Sequence, residues 1–244
     1  MKRIISIVII LILFISVLYS QSESDFFKAC LSGDIKTVEN YINNGGNIDA
    51  EDESGFTGLM LSSGRKHENI VDLLLKHKAN PNIVHSSSGV TALILASTVK
   101  NNEKILEKLI DNGADINAST FGLTALTQSL TQTNNSNVLL LLKKGADPNI
   151  NLSLGNNKTS PLIYAVENGN HQVVLSLIGA GANIDYQDNY GQTALMWACM
   201  KNKKQIVELL LASQADIYIT DKKGNTALDL TNNEEILSIL RKYY

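Results

Sequence analysis

One phrase of sequence is written six times at a nearly fixed interval, and that interval limits what the chain can fold into. The frame Gly-x-Thr-small-Leu occurs at Gly55–Leu59, Gly89–Leu93, Gly122–Leu126, Gly191–Leu195 and Gly224–Leu228, with a degraded copy at Lys158-Thr159-Ser160-Pro161-Leu162. Its hydroxyl positions, Thr57, Thr91, Thr124, Ser160, Thr193 and Thr226, lie 34, 33, 36, 33 and 33 residues apart. A second anchor runs in register with the first. Leu-rich stretches end in Asn112-Gly113-Ala114-Asp115, Lys144-Gly145-Ala146-Asp147 and Ala180-Gly181-Ala182-Asn183, with looser copies at 44–47, 77–80 and 213–216. A period near 33 belongs to a solenoid built from two short helices and a turn per repeat.

Each anchor has a physical role. The Thr hydroxyl can accept a hydrogen bond from an orphan backbone N–H at a helix start, and the small residue or Pro behind it suits the first helical position. The Gly of Gly-Ala-Asp follows the second helix, where the chain turns through positive φ. Lys78 and Gln214 occupy that position in two repeats, so strained or differently built turns are expected there.

Period and anchors together resemble those of ankyrin-repeat proteins, over roughly residues 24 to 242. The resemblance implies an all-α ankyrin-repeat solenoid of about seven helix-turn-helix units with hairpin-like turns. Repeats fall near 24–51, 52–84, 86–118, 119–151, 155–187, 188–220 and 221–244, inside a domain spanning 21–244. The second helices are expected around Ile70–Lys76, Ile105–Asp111, Val138–Lys144, Val173–Ile178 and Ile206–Ala212. The His that closes the family's Thr-Pro-Leu-His motif is replaced by Met60, Ile94, Thr127, Ile163, Met196 and Asp229, which implies that its hydrogen bonds are absent from every repeat. The connection at 150–159 is about three residues longer than the period allows, and inserted loops in such arrays often lie on the binding face.

The first 20 residues follow a different pattern. Lys2 and Arg3 precede an apolar run from Ile4 to Leu18, broken only by Ser6 and Ser16, and small or polar residues follow. That is the layout of a secretory signal sequence, cleaved after Ser20 or Ser22. The alternative is an uncleaved membrane anchor, although the run is shorter than the ~20 residues that usually span a bilayer. Without this segment the formal charge moves from −3 to −5, because 19 Lys and Arg face 24 Asp and Glu. A basic nucleic-acid surface is thereby disfavoured. Cys30 and Cys199 fall in equivalent places in the first and sixth units, where the reading assigns both to small core positions.

No stretch carries recognisable catalytic chemistry. His67, His77, His85 and His171 stand apart, without the spacing that gathers metal ligands, and all four read as surface residues. There is no nucleophile elbow and no phosphate-cradling loop. The chain therefore reads as non-enzymatic, with no catalytic residue, metal, cofactor or small-molecule substrate. It is expected to be a monomeric protein-binding module acting outside the cytoplasm, in the periplasm or secreted. It would touch a membrane only if the N-terminal segment stays on. A membrane-tethered scaffold and an inhibitor that blocks an enzyme or toxin are the alternatives.

The resemblance implies contact through the turn tips and the exposed side of the first helices. The candidate partner-binding residues are Phe56, Val90, Phe121, Leu123, Tyr190 and Gln192 at the tips, with Arg65 and Lys201 on the helices. Phe56, Val90 and Leu123 share one tip position, and apolar residues there suggest a contact surface. On this reading Ser at Phe56, Phe121 and Tyr190 would leave melting unchanged. Trp197, the only tryptophan, aligns with Leu61, Leu95, Gln128, Tyr164 and Leu230 and reads as core. The abundance of Asn reads as compositional bias.

Overall fold

The computed structural model describes residues 21–120, 122–154 and 157–244, so the signal-sequence reading of 1–20 lies outside the described residues. Among the described residues no helix is long and apolar enough to cross a membrane. The described residues divide into two compact units, one ending at Asp115 and the other spanning Ile116–Tyr244.

In the first unit α1 (helical over 21–32) and α2 (Ile35–Asn43) form a pair, followed by α3 (Gly58–Gly64) with α4 (Glu68–Lys76), and α5 (Ala92–Ser97) with α6 (Glu103–Asp111). The second unit continues with α7 (Ala125–Thr131) and α8 (Asn135–Lys143), the strands β1 (Leu152–Leu154) and β2 (Asn157–Thr159), then α9 (Pro161–Asn168) with α10 (His171–Gly179), α11 (Ala194–Met200) with α12 (Lys204–Ala212), and α13 (Glu234–Leu240). First helices pack on first helices, α3 on α5 and α9 on α7 and α11, while second helices pack on second helices, α4 on α2 and α6 and α10 on α8 and α12. The result is a two-layered helical solenoid within each unit.

The hydroxyl anchors cap the first helices as expected. Thr57, Thr91, Thr124, Ser160 and Thr193 each accept a hydrogen bond from the backbone N–H three residues on, and Pro161 stands in the first turn of α9. Second helices bury adjacent pairs one turn apart, as in Ile70-Val71 with Leu74-Leu75 and Ile206-Val207 with Leu210-Leu211. Each fully buried aliphatic side chain contributes about 1.5–3 kcal/mol. From α4 to α12 these helices begin two or three residues before the apolar runs, because their first turns are polar. Cys30 and Cys199 are fully buried free thiols, and burial pushes both up to about 12.

Lys78 and Gln214 do adopt positive φ, at 68° and 65°. The matching turn glycines Gly113, Gly145 and Gly181 have nothing within 4 Å of an added Cβ, so a side chain at this site meets only backbone strain. Lys66, Asn101, Thr133 and Asn202 bear the same strain after the first helices.

Four expectations change. The seventh repeat has no first helix. Its anchor hydroxyl, Thr226, and the N-cap of α13, Asn233, are 7 positions apart, against 10 from Thr193 to Lys203, which leaves room only for the turn at 227–230 before α13. The long connection is an antiparallel hairpin in the register Leu152↔Thr159, Ser153↔Lys158, Leu154↔Asn157, not an irregular loop. The missing motif histidine is replaced functionally in two repeats. Thr127 Oγ1 accepts from Thr124 N–H at 2.8 Å, and Asp229 Oδ2 accepts from Thr226 N–H at 2.9 Å.

Asn richness is also structural. In the first unit Asp49 Oδ1 accepts from Asn80 N–H and Asn82 Oδ1 from Asp115 N–H; in the second, Asn117, Asn149 and Asp185 accept in the same way from Asp147, Asn183 and Asp216, all at 2.8–2.9 Å. Asn adds a second bond that Asp lacks, because the Asn82 and Asn149 amides donate to Gly113 O and Gly181 O. Asn149→Leu removes both links and is expected to lower the stability of the second unit by about 1–2 kcal/mol. Asn149→Asp, which keeps the acceptor, should lose less. Urea unfolding of the two variants beside the parent tests the ordering.

Candidate functional site

The turn tips are built on one device. In the first unit Asp52 Oδ1 accepts from Ser54 N–H and Phe56 N–H. In the second, Asp188 Oδ1 accepts from Tyr190 N–H and Gln192 N–H, and Asp221 Oδ1 from Lys223 N–H and Asn225 N–H. His85 takes the Asp position in the third repeat. It is buried, not a surface residue: Nδ1 accepts from Ser88 N–H at 3.1 Å, which makes Nε2 the donor to Ser54 O at 2.7 Å.

The apolar tips in the first unit turn inward. Phe56 is half-buried with its ring stacked on His85 at 4.1 Å between centroids. Val90 is half-buried, and its carbonyl accepts from His85 N–H. Arg65 is exposed at the end of α3. Phe56→Ser is therefore expected to lower the melting temperature, through a stability loss of about 1–2 kcal/mol for a stacked, half-buried ring, contrary to the neutral effect that the sequence implies. Tyr190→Ser should leave melting unchanged, because Tyr190 is 57% exposed. Thermal circular dichroism of the two single variants separates them.

In the second unit Leu123 is half-buried in a one-residue bridge with Thr120, and Phe121 lies outside the described residues. Tyr190, Gln192 and Lys201 surround one side chain that sequence reading assigned to the core, Trp197. The indole is half-buried, and so are its counterparts, Leu61 and Leu95 in the first unit and Gln128, Tyr164 and Leu230 in the second, so within each unit this register position lies on the partly open side of the first helices, or in the last repeat of the turn that replaces one. Trp197 Nε1 donates to Asp188 Oδ2 at 2.9 Å. Lys201 Nζ sits 5.4 Å from the ring centroid and 4.0 Å from Glu167 Oε1. Gln192 lies beside them, its amide 3.8 Å from Met200 Sδ.

Beside this cluster lies a pocket of about 160 Å³. Lys158 and Thr159 of β2, Ile163 and Glu167 of α9, the tip residues Asp188, Asn189 and Tyr190, and Trp197 of α11 line it. Sequence reading missed Trp197 because an aromatic among Leu and Tyr in register looks like core. The signal available was Gln128 in the same column, since a buried column rarely admits an amide without a partner. Among the described residues no group of His, Cys, Asp or Glu could hold a metal ion.

Comparison with known proteins agrees with the repeat architecture. The family profile described as ankyrin repeats (3 copies) matches residues 26–120, 99–188, 130–221 and 162–243. The chain is 31% identical to mouse Rabankyrin-5 over 165 residues, which cover 65% of this chain and 14% of that protein. It is 29% identical to the mouse B-cell lymphoma 3 protein homolog over 177 residues, 70% of this chain and 39% of that one. The chain thus spans a minor part of these relatives. Among solved structures, the ankyrin repeat domain of Bcl-3, a member of the IkappaB protein family, is similar with a TM-score of 0.76 and 28% identity, covering 88% of this chain and 97% of that one. The human ASB11 ankyrin repeat domain shares the fold with a TM-score of 0.66 and 19% identity, over 88% and 96%.

Proposed function

The chain belongs to the ankyrin-repeat family, and from that premise we propose that it is a non-catalytic recognition module acting outside the cytoplasm. It would bind a protein partner through the open first-helix face and tip of its second unit. Ankyrin repeats generally mediate protein–protein interaction. The observation that carries the reading is the exposed Tyr190 beside a half-buried Trp197 whose ring is held by Asp188 and Lys201. A fixed aromatic platform loses little entropy on binding, and Trp and Tyr are the side chains that most often dominate interface energetics. Export is supported by the charged-then-apolar layout of residues 1–20.

Cross-linked capture of the tagged full chain from its own cells tests both parts. The parent should retain a dominant partner that a Tyr190→Ser, Lys201→Glu double variant loses by about tenfold or more, while Arg65→Glu in the first unit keeps it. The recovered chain should begin at Gln21 or Glu23. Retention of the partner by the double variant would move the binding surface elsewhere, and recovery of Met1 in the membrane fraction would favour tethering over release.

A further inference from the structure

We infer that the pocket between the β1–β2 hairpin and the 188–190 tip receives one aromatic side chain of the partner, with a neighbouring Asp or Glu of the partner paired to Lys158. The inference rests on the recognition reading above and specifies what that surface recognises. Its size sets the first condition. A volume of about 160 Å³ is on the scale of a cavity that accepts a benzene ring. Trp197 and Tyr190 offer the edges and faces against which such a ring takes offset or edge-to-face contact.

Charge sets the second condition. Three charged side chains line the pocket, Asp188, Glu167 and Lys158, and the two carboxylates are already answered within the protein. The Asp188 carboxylate accepts three N–H donors, from Tyr190, Gln192 and the Trp197 indole. Glu167 faces Lys201 at 4.0 Å, and that same ammonium covers one face of Trp197. Lys158 is exposed on β2 and has no carboxylate partner among the described residues. The remaining unanswered charge is therefore positive, and an acidic flank on the incoming segment complements it. A basic segment would meet Lys158 and Lys201 together.

The hairpin makes the arrangement. The unpaired cation comes with the added residues at 150–159, since Lys158 owes its place to its pairing opposite Ser153.

A random dodecapeptide library displayed on phage and selected on the full chain tests this. The enriched sequences should share an aromatic residue with Asp or Glu within two positions. A synthetic peptide of that pattern should change the fluorescence of Trp197, the only tryptophan. Lys158→Glu should weaken it by about tenfold or more, and replacing the peptide's acid by Lys should restore binding to that variant. Lys158 and Tyr190 are exposed, so Lys158→Glu and Tyr190→Ser report on contact without unfolding the unit. Peptides that are basic, or that bind without sensing Lys158→Glu, would overturn the assignment of an acidic-aromatic segment. Should such peptides still depend on Tyr190 and shift Trp197 fluorescence, the recognition surface itself stands; loss of that dependence together with partner capture by the double variant defeats both.

Discussion

Gly191→Val is expected to destabilise the second unit by about 2–4 kcal/mol, the scale of a strained backbone combined with a core-like clash. Gly191 has φ 77°, a conformation in which a β-branched residue is an outlier. An added Cβ would also sit 2.9 Å from the backbone N of Lys222 and 3.3 Å from Asp221 Cα. Backbone cannot swing aside as a long side chain can. Lys222 N–H donates to Tyr190 O at 3.0 Å, so the displacement would break one of the links between the sixth and seventh repeats. Gly181→Ala is the matched control, because φ is 89° there and nothing lies within 4 Å. It should cost only the left-handed backbone penalty, about 1–2 kcal/mol. Urea unfolding followed by Trp197 fluorescence reads the second unit directly, and equal losses in the two variants would show that the approach of Lys222 is not what requires glycine at 191.

Residues whose role is local were legible in the sequence. The hydroxyls of Thr57, Thr91, Thr124, Ser160 and Thr193 cap helices because capping needs only a side-chain oxygen three residues before a free N–H. Positive φ at Lys78 and Gln214 followed from register with glycine for the same reason. Roles that depend on the adjacent repeat were hidden. Asn149 reads as one polar residue among many, because its two partners, Gly181 and Asn183, lie more than thirty positions away. His85 reads as a turn histidine, yet its ring joins Ser54 of the preceding tip and stacks on Phe56. The hairpin had a local signal that register arithmetic obscured, since Gly155-Asn156 is a dipeptide that suits two-residue hairpin turns between Leu-Ser-Leu and Asn-Lys-Thr. Trp197 was the costliest misreading. Columns of Leu and Tyr occur both in cores and on half-covered faces, and only the packing of neighbouring helices distinguishes them.

Asp188→Ala should separate the structural and recognition roles of the tips. One carboxylate holds Tyr190 N–H at 2.8 Å, Gln192 N–H at 2.9 Å and the Trp197 indole at 2.9 Å, so its loss frees the Trp197 ring and loosens the backbone that carries Tyr190. The expected stability loss is about 2 kcal/mol, from charge-assisted bonds left unmade. Partner binding should weaken by about tenfold or more even where the variant is fully folded, because the platform must then be ordered during association. Asp221→Ala is the counterpart without an aromatic platform: its carboxylate accepts from Lys223 N–H, Asn225 N–H and the Asn225 amide. That variant should lose stability while keeping partner affinity within about twofold. Its pH dependence has a definite sign. The Asn225 N–H, then the Asn225 amide and Lys223 N–H, hold the Asp221 carboxyl below its usual 3.8, so the stabilisation is complete above that pH and fades as pH falls through the lower folded value. Parent and Asp221→Ala unfolding curves should therefore converge in acid. If Asp221→Ala abolishes partner binding as fully as Asp188→Ala does, the tips act as one rigid edge, and Trp197 holds no special place in recognition.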